Sequence, residues 1–466
     1  MAQLTFLGST EGVTGSLYLL ETANARVLLE CGLFQGVKED GKVNRAPFPF
    51  DVNNIDAVIL SHAHLDHSGR LPKLVADGYN GPIYMTRPTT ELLDIMLKDS
   101  AFLSMRDTEW ENKRRKRSGK PEVEPIYTID DVELTLKQFI GVPYAVKREV
   151  VEGISVTFHD AGHILGSAIV EIDIKEGGQT RKLVFSGDLG NSYAALLRDP
   201  VQLSKADVVL MESTYGDRDH RPLEETLEEF RDVIRQANDN GGNVLIPAFA
   251  VGRTQEVIFY LGELYQKGEL NHQAVFLDSP MAIAATEVYH RYQNVYNDED
   301  ALAIKQTKTG SLHSYLPVLR YSRSTEESMD INKIRNGAII IAGSGMCDGG
   351  RIRHHLKHNL WRRDAHVMIV GYQVHGTPGR ALVDGAKKLR IVGEEIAVNA
   401  TIHTLGGFSA HAGQQQLVDW AENFRAMNPR LFLIHGEDEA KAILKEKLQE
   451  RGIDAKIAGT NETITI

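Results

Sequence analysis

Six consecutive residues, His62-Ala63-His64-Leu65-Asp66-His67, carry three imidazoles and one carboxylate. Neutral imidazole and carboxylate oxygen are the donors that Zn2+ prefers. The segment follows directly on the apolar run Asp56-Ala57-Val58-Ile59-Leu60-Ser61, which has the pattern of a buried strand. A loop leaving a strand end can aim several side chains at one point. A single histidine here would read as a solvated polar turn. Ligand-type residues at this density are not explained by packing, and they predict a metal site.

A two-metal site needs about six or seven protein ligands. Three more candidates end other apolar runs: His163 in Gly162-His163-Ile164-Leu165-Gly166, Asp188 in Ser186-Gly187-Asp188-Leu189-Gly190, and His435 in Ile434-His435-Gly436-Glu437. Each stands close to a glycine, which lets the backbone turn sharply and approach an ion. The expected division is His62, His64 and His163 on one zinc, Asp66, His67 and His435 on the other, and Asp188 between them. Two such cations make a nucleophile of water at neutral pH and neutralise charge on a phosphoryl group.

The elements that must position these residues change character along the chain. Strands are predicted at Leu4–Leu7, Leu17–Glu21, Arg26–Glu30, Ala57–Leu60, Pro82–Met85, Ser155–His159, Ala168–Ile174 and Lys182–Phe185. A helix is predicted over about Thr90–Met105. The densely charged stretch Glu109–Lys120 reads as an exposed helix end and loop, or as a contact surface. After Glu212, helices and strands alternate: Glu224–Asn238, Asn243–Pro247, Thr254–Lys267, Ala274–Leu277, Ala282–Tyr292, Ala338–Ala342, Arg351–Asn359 and His366–Val370. That order indicates a parallel, doubly wound sheet. Asn399–Thr404, Gln414–Phe424, Arg430–Ile434 and Glu439–Arg451 are expected to close the first layer system. The fold class is therefore α/β, with a parallel α/β domain inserted into a sandwich.

Composition bounds the function. The chain has 466 residues, enough for more than one core, and its formal net charge is −11. That balance argues against binding nucleic acid by bulk charge, though not against a local basic cleft. Only two cysteines occur, Cys31 and Cys347, so a disulfide framework is not expected and a reducing compartment is. The opening residues form a strand pattern rather than a signal peptide, and no apolar run approaches the ~20 residues of a membrane span. A cytoplasmic protein without a membrane partner is the expectation.

With these residues in view, the chain resembles the metallo-β-lactamase fold, and within it the β-CASP nucleases. The His62-to-His67 segment, His163 and Asp188 carry the first likeness. Met211-Glu212-Ser213-Thr214-Tyr215-Gly216 looks like that family's motif A, Phe408-Ser409-Ala410-His411 like motif B, and Ile434-His435-Gly436-Glu437 like motif C. Further matches are Pro247–Glu256, Asp278–Ala282 and Gly343–Cys347, so the likeness covers essentially the whole chain. It implies an αββα sandwich over 1–210 and 395–466, with the β-CASP domain at 211–394. One departure is visible: Glu30 stands where the family usually has Asp. That residue is expected to support the metal ligands from behind.

The resemblance implies a zinc ribonuclease with two Zn2+ ions, acting on single-stranded RNA through a hydroxide shared by the metals. Asp66, Glu212 and His411 are the implied catalytic residues, with His411 as general acid and Glu212 orienting it. Products would carry 5′-phosphate and 3′-hydroxyl ends. In this family, histidine at motif C accompanies RNA substrates. Internal cleavage is expected, with action from the 5′ end as its alternative. The inserted domain is expected to hold the strand through phosphate contacts at Ser344, Thr377 and Arg380, and Ser409, beside His411, is expected to touch phosphate as well. Arg253 reads equally as a domain-interface salt bridge. The alternatives are a DNA nuclease, a small-molecule ester or thioester hydrolase on the same fold, or a non-catalytic relative. The last is disfavoured because all seven ligands are present. A homodimer is left open.

Overall fold

Alternation of period two buries Ile154, Val156 and Phe158 on one side of the strand Ile154–Asp160. The computed structural model describes residues 2–36 and 40–466. In it, this strand lies in a seven-stranded sheet ordered Ala455–Ile457, Arg430–Leu433, Val208–Met211, Gln179–Phe185, Ala168–Glu176, Ile154–Asp160, Arg148–Val151. A second seven-stranded sheet runs Thr463–Thr465, Gln3–Phe6, Tyr18–Glu21, Arg26–Leu29, Ala57–Ile59, Ile83–Thr86, Phe139–Val142.

Both sheets send side chains into one core, including Phe6, Tyr18, Val27 and Ile59 from one and Val156, Phe158, Phe185 and Phe432 from the other. Burying each such large apolar side chain contributes roughly 1.5–3 kcal/mol. The outer face of the second-named sheet is covered too, since Leu28 and Val58 are fully buried without belonging to that core. The other sheet packs its outer face, with Val209 and Met211, against the helices Gln414–Glu422 and Asp438–Glu450. Two sheets clothed by helices make an αββα sandwich.

The chain forms two compact units. One comprises Met1–Ser192, Asp199–Asp219 and His411–Ile466, and the other Tyr193–Arg198 and His220–Ala410. The second unit holds a six-stranded sheet ordered Leu319–Tyr321, Ala274–Leu277, Ala338–Ala342, Val244–Pro247, His366–Ile369, Thr401–Thr404. Every neighbouring pair in it is parallel.

Two local expectations are corrected. The strand Thr401–Thr404 does not close the sandwich but pairs with His366–Ile369, because Ile402 and the preceding Val398 and Ala400 pack into the second unit's core. The helix predicted to end near Met105 runs from Arg87 to Arg117. Its charged half contains good helix formers and an i,i+4 pair, Glu111 with Arg115.

Strand register explains where the ligands go. Phe185 pairs with Leu210, and Met211 with Leu433, all in parallel. Asp188, Glu212 and His435 therefore leave three neighbouring strands at the same end.

Candidate metal centre

The seven predicted ligands converge in two adjacent groups. One comprises His62, His64, His163 and Asp188, the other Asp66, His67 and His435. In the first, His64 Nδ1 lies 3.1 Å from both His62 Nε2 and His163 Nε2. In the second, His67 Nε2 lies 3.1 Å from His435 Nε2, and Asp66 Oδ2 is 3.7 and 3.6 Å from those two nitrogens.

Asp188 faces both groups. Its Oδ2 is 3.5 Å from His62 Nε2 and 3.6 Å from His163 Nε2. Its Oδ1 is 3.4 Å from His67 Nε2 and 3.5 Å from His435 Nδ1. Donors 2.0–2.1 Å from a tetrahedral Zn2+ sit roughly 3.3 Å from one another, so this spacing fits a zinc ion within each group.

Electrostatics fit a cation as well. Burial, then the neighbouring His67, pushes His62 well below the usual imidazole range, and burial lowers His64. Both are thereby held as neutral rings with a lone pair to offer. Burial opposes charge on Asp66, but His67 and His435 hold its carboxyl at about 2. Burial also opposes charge on His67, yet Asp188 and Asp66 outweigh it and drive this ring well above its ordinary value. A buried imidazole so strongly drawn to the charged form marks a surplus of negative field.

Glu30 ties the groups to the fold. It is fully buried. Its Oε1 accepts the Ser61 N–H at 2.6 Å, and its Oε2 accepts the Ser61 hydroxyl at 2.9 Å and meets His67 Nδ1. The Ser61 oxygen lies 3.0 Å from His62 Nδ1. Glu30 thus reaches one histidine of each group, directly or through Ser61. Glu30 and His435 both adopt left-handed backbone, with φ of 64° and 49°, a strain that non-glycine residues carry mostly where surroundings enforce it. Two glycines serve the close packing. Gly187, at φ 54°, precedes Asp188, and a Cβ on Gly436 would meet the Ser213 backbone oxygen at 2.6 Å.

Beside Asp188 stands a second constellation. Glu212 is fully buried, and its Oε1 accepts the Leu189 N–H at 2.7 Å while Oε2 accepts the Thr214 N–H at 3.1 Å. His411 Nδ1 lies 3.3 Å from Glu212 Oε1 and 3.9 Å from Asp188 Oδ2. Burial opposes charge on His411, but Glu212 and then Asp188 raise its pKa to about 9. The ring is partly open, with 22% side-chain exposure against 0% for Glu212.

The residues expected to touch phosphate lie in the second unit. Ser344 binds Asp348 and accepts the Gly349 N–H, closing its own loop. Thr377 caps the helix Pro378–Val383 by accepting the Arg380 N–H at 3.2 Å. Arg380 Nε pairs with Asp384 at 2.9 Å. Ser409 follows Gly407 in a tight turn, donating its N–H to the Gly407 carbonyl at 3.0 Å. Arg253 pairs with Glu256 and lies over the Phe408 ring. Sequence reasoning missed Ser61 and Thr214, whose hydroxyl sits 3.2 Å from His435 Nδ1. Both lie within recognised segments, Ser61 directly before His62 and Thr214 two residues after Glu212, and that closeness was the available signal.

Family models match over residues 19–199 (metallo-beta-lactamase superfamily domain), 254–382 (Beta-Casp domain) and 395–458 (Zn-dependent metallo-hydrolase RNA specificity domain). The chain is 41% identical to Ribonuclease TTHA0252 of Thermus thermophilus, over 98% of this chain and 99% of that one. It is 32% identical to Transcription termination factor FttA of Methanocaldococcus jannaschii, over 94% of this chain and 67% of that one. A crystal structure of a protein of unknown function from Enterococcus faecalis shares the fold at a TM-score of 0.56 and 14% identity, covering 100% of both chains.

Proposed function

Because this chain belongs to the β-CASP ribonuclease family of the metallo-β-lactamase superfamily, we propose that it is a zinc-dependent ribonuclease. It hydrolyses phosphodiester bonds of single-stranded RNA, cuts internally, and leaves 5′-phosphate and 3′-hydroxyl ends. The observation that carries the reading is the Asp188 carboxylate, one oxygen toward each histidine group, with the Glu212–His411 pair at its side.

His62, His64 and His163 would hold one Zn2+, Asp66, His67 and His435 a second, and Asp188 both. Bound there, the ions would supply Lewis acidity to the phosphate and acidify a water molecule. The chain's own residues do the rest. Glu30 and Ser61 take the Nδ1 protons of His67 and His62, which aims both Nε2 lone pairs inward. Asp66 stays ionised and balances the positive charge. Glu212, fixed by two backbone N–H groups, accepts the Nδ1 proton of His411 and orients the ring. His411 delivers a proton to the departing 3′ oxygen. RNA is preferred over DNA on two grounds: histidine stands at position 435, and the RNA specificity domain matches the C-terminal segment.

The test is incubation of end-labelled RNA and matched DNA strands with wild type and Asp66→Ala, with product ends mapped. Discrete RNA fragments bearing 5′-phosphates, absent with the variant, support the reading. Cleavage of DNA alone, or fragments that persist with the variant, would overturn it.

A further inference from the structure

The helix Arg87–Arg117 is 31 residues long, about 46 Å at 1.5 Å per residue. Its first half is anchored by Leu92, Leu93, Met96 and Leu97, but beyond these only Ala101 and Thr108 are buried. The C-terminal half therefore offers a face to solvent. At 100° per residue, Phe102, Arg106, Trp110, Lys113, Arg114 and Arg117 fall within an arc of about 120°.

This face alternates rings and cations. Phe102 is 59% exposed and Trp110 63%. The Arg106 guanidinium lies 6.0 Å from the Phe102 centroid, and Lys113 Nζ lies 5.5 Å from that of Trp110. Among the described residues, Lys113, Arg114 and Arg117 pair with no carboxylate. The nearby Glu111 is engaged by Arg115 at 3.3 Å and Arg45 at 3.6 Å. Cations in a last helical turn favour the helix dipole, which is one structural use for them. That use does not account for two large rings held in water on the same face.

We propose that this stripe is an accessory binding surface for single-stranded RNA, outside the metal centre. Bases stack on Trp110 and Phe102, and phosphates pair with Lys113, Arg114 and Arg117, while Arg106, which meets Asp107 at 3.8 Å, lies beside Phe102. The rings stand eight positions apart, about 12 Å along the axis, so more than one nucleotide is engaged. Stacking and phosphate pairing read no base, so the surface tolerates any sequence. In a chain of net charge −11, a local excess of unpaired cations is where a polyanion is accepted. The inference rests on the RNA reading above, and it adds that long strands are held more tightly than short ones.

The test uses zinc-chelated protein and a fluorescent oligouridine long enough to span the helix, with affinity read by anisotropy against salt. Trp110→Ala should weaken binding about tenfold, and Trp110→Phe should restore most of it. Lys113→Ala with Arg114→Ala should lower the salt slope by about 1.4. With zinc restored, all variants should cut a dinucleotide as wild type does. Circular dichroism confirms that the exposed helix end stays folded. If wild type cuts RNA while the variants keep wild-type affinity and salt slope, this proposal falls alone. It also falls if the variants change only self-association in sedimentation, since the face is then a protein contact. If wild type neither binds nor cuts RNA, both readings fall together.

Discussion

Replacing Glu30 by Gln should loosen both metals while leaving the fold in place. Gln has the shape of Glu but offers one acceptor oxygen and one NH2 donor. In the native site both carboxylate oxygens are used, Oε1 by the Ser61 N–H and Oε2 by the Ser61 hydroxyl and His67 Nδ1. With the NH2 at the Oε1 place, two donors confront each other at Ser61. With the NH2 at the Oε2 place, the His67 Nδ1 proton loses its acceptor, and the ring is free to present a proton instead of a lone pair. Either arrangement leaves a buried donor unsatisfied, at a cost of about 1–3 kcal/mol. Support residues of this kind typically govern metal affinity by about ten- to hundredfold, which is ~1.4–2.8 kcal/mol. The larger loss is expected at the site holding His67, the smaller at the site holding His62, which Glu30 reaches only through Ser61. Ser61→Ala should show the opposite ranking. Competition against a chromophoric zinc chelator resolves the two affinities, and thermal unfolding of metal-free protein reads any separate loss of stability. Zinc affinities of Glu30→Gln within twofold of wild type at both sites would contradict this role of Glu30.

Two further outcomes are expected. His411→Ala should lower RNA turnover by about 10²–10⁴-fold, the range of a lost general acid, while zinc content by elemental analysis stays at the wild-type level; loss of a metal would instead make His411 a ligand. In the second unit, burial opposes charge on Asp278, but hydrogen bonds from His355, Ser328 and Arg351 hold its carboxyl at about 2, below the ordinary 3.8. A depressed acid stabilises the fold above its unfolded pKa and loses that contribution as pH falls through the folded value. The difference in unfolding free energy between wild type and Asp278→Asn should therefore shrink by ~2 kcal/mol between about pH 4 and pH 2, as urea melts would measure. A difference that does not change over that window would contradict the assignment.

The candidate ligands were legible because four of them crowd into six residues after one apolar strand and the other three follow apolar strands close to a glycine, signals carried within a few residues. Of their supports, Glu30 is expected from the resemblance, but its partner Ser61, and Thr214 beside His435, are not, because sheet register brings them together across 31 and 221 positions. Most strand and helix positions followed from hydrophobic period. The strand Thr401–Thr404 was assigned to the wrong sheet because its sequence does not say which edge it will extend. The expected helix end and loop over Glu109–Lys120 gives way to a helix reaching Arg117, because charge density resembles a solvated turn while the i,i+4 pairing and helix-forming side chains favour a continuous helix. The hairpin Lys388–Ile391 with Glu394–Ala397 and the helices between Asp298 and Ile331 were not anticipated, being short and only partly buried.

Seven side chains are proposed to hold two zinc ions that together make the site hydrolytic. Metal-free protein titrated with Zn2+, with RNA cleavage followed at each addition, tests it most directly. Cleavage should be absent without metal and should rise to its plateau at about two equivalents per chain. Full cleavage in demonstrably metal-free protein, or a plateau at a single equivalent, would contradict it.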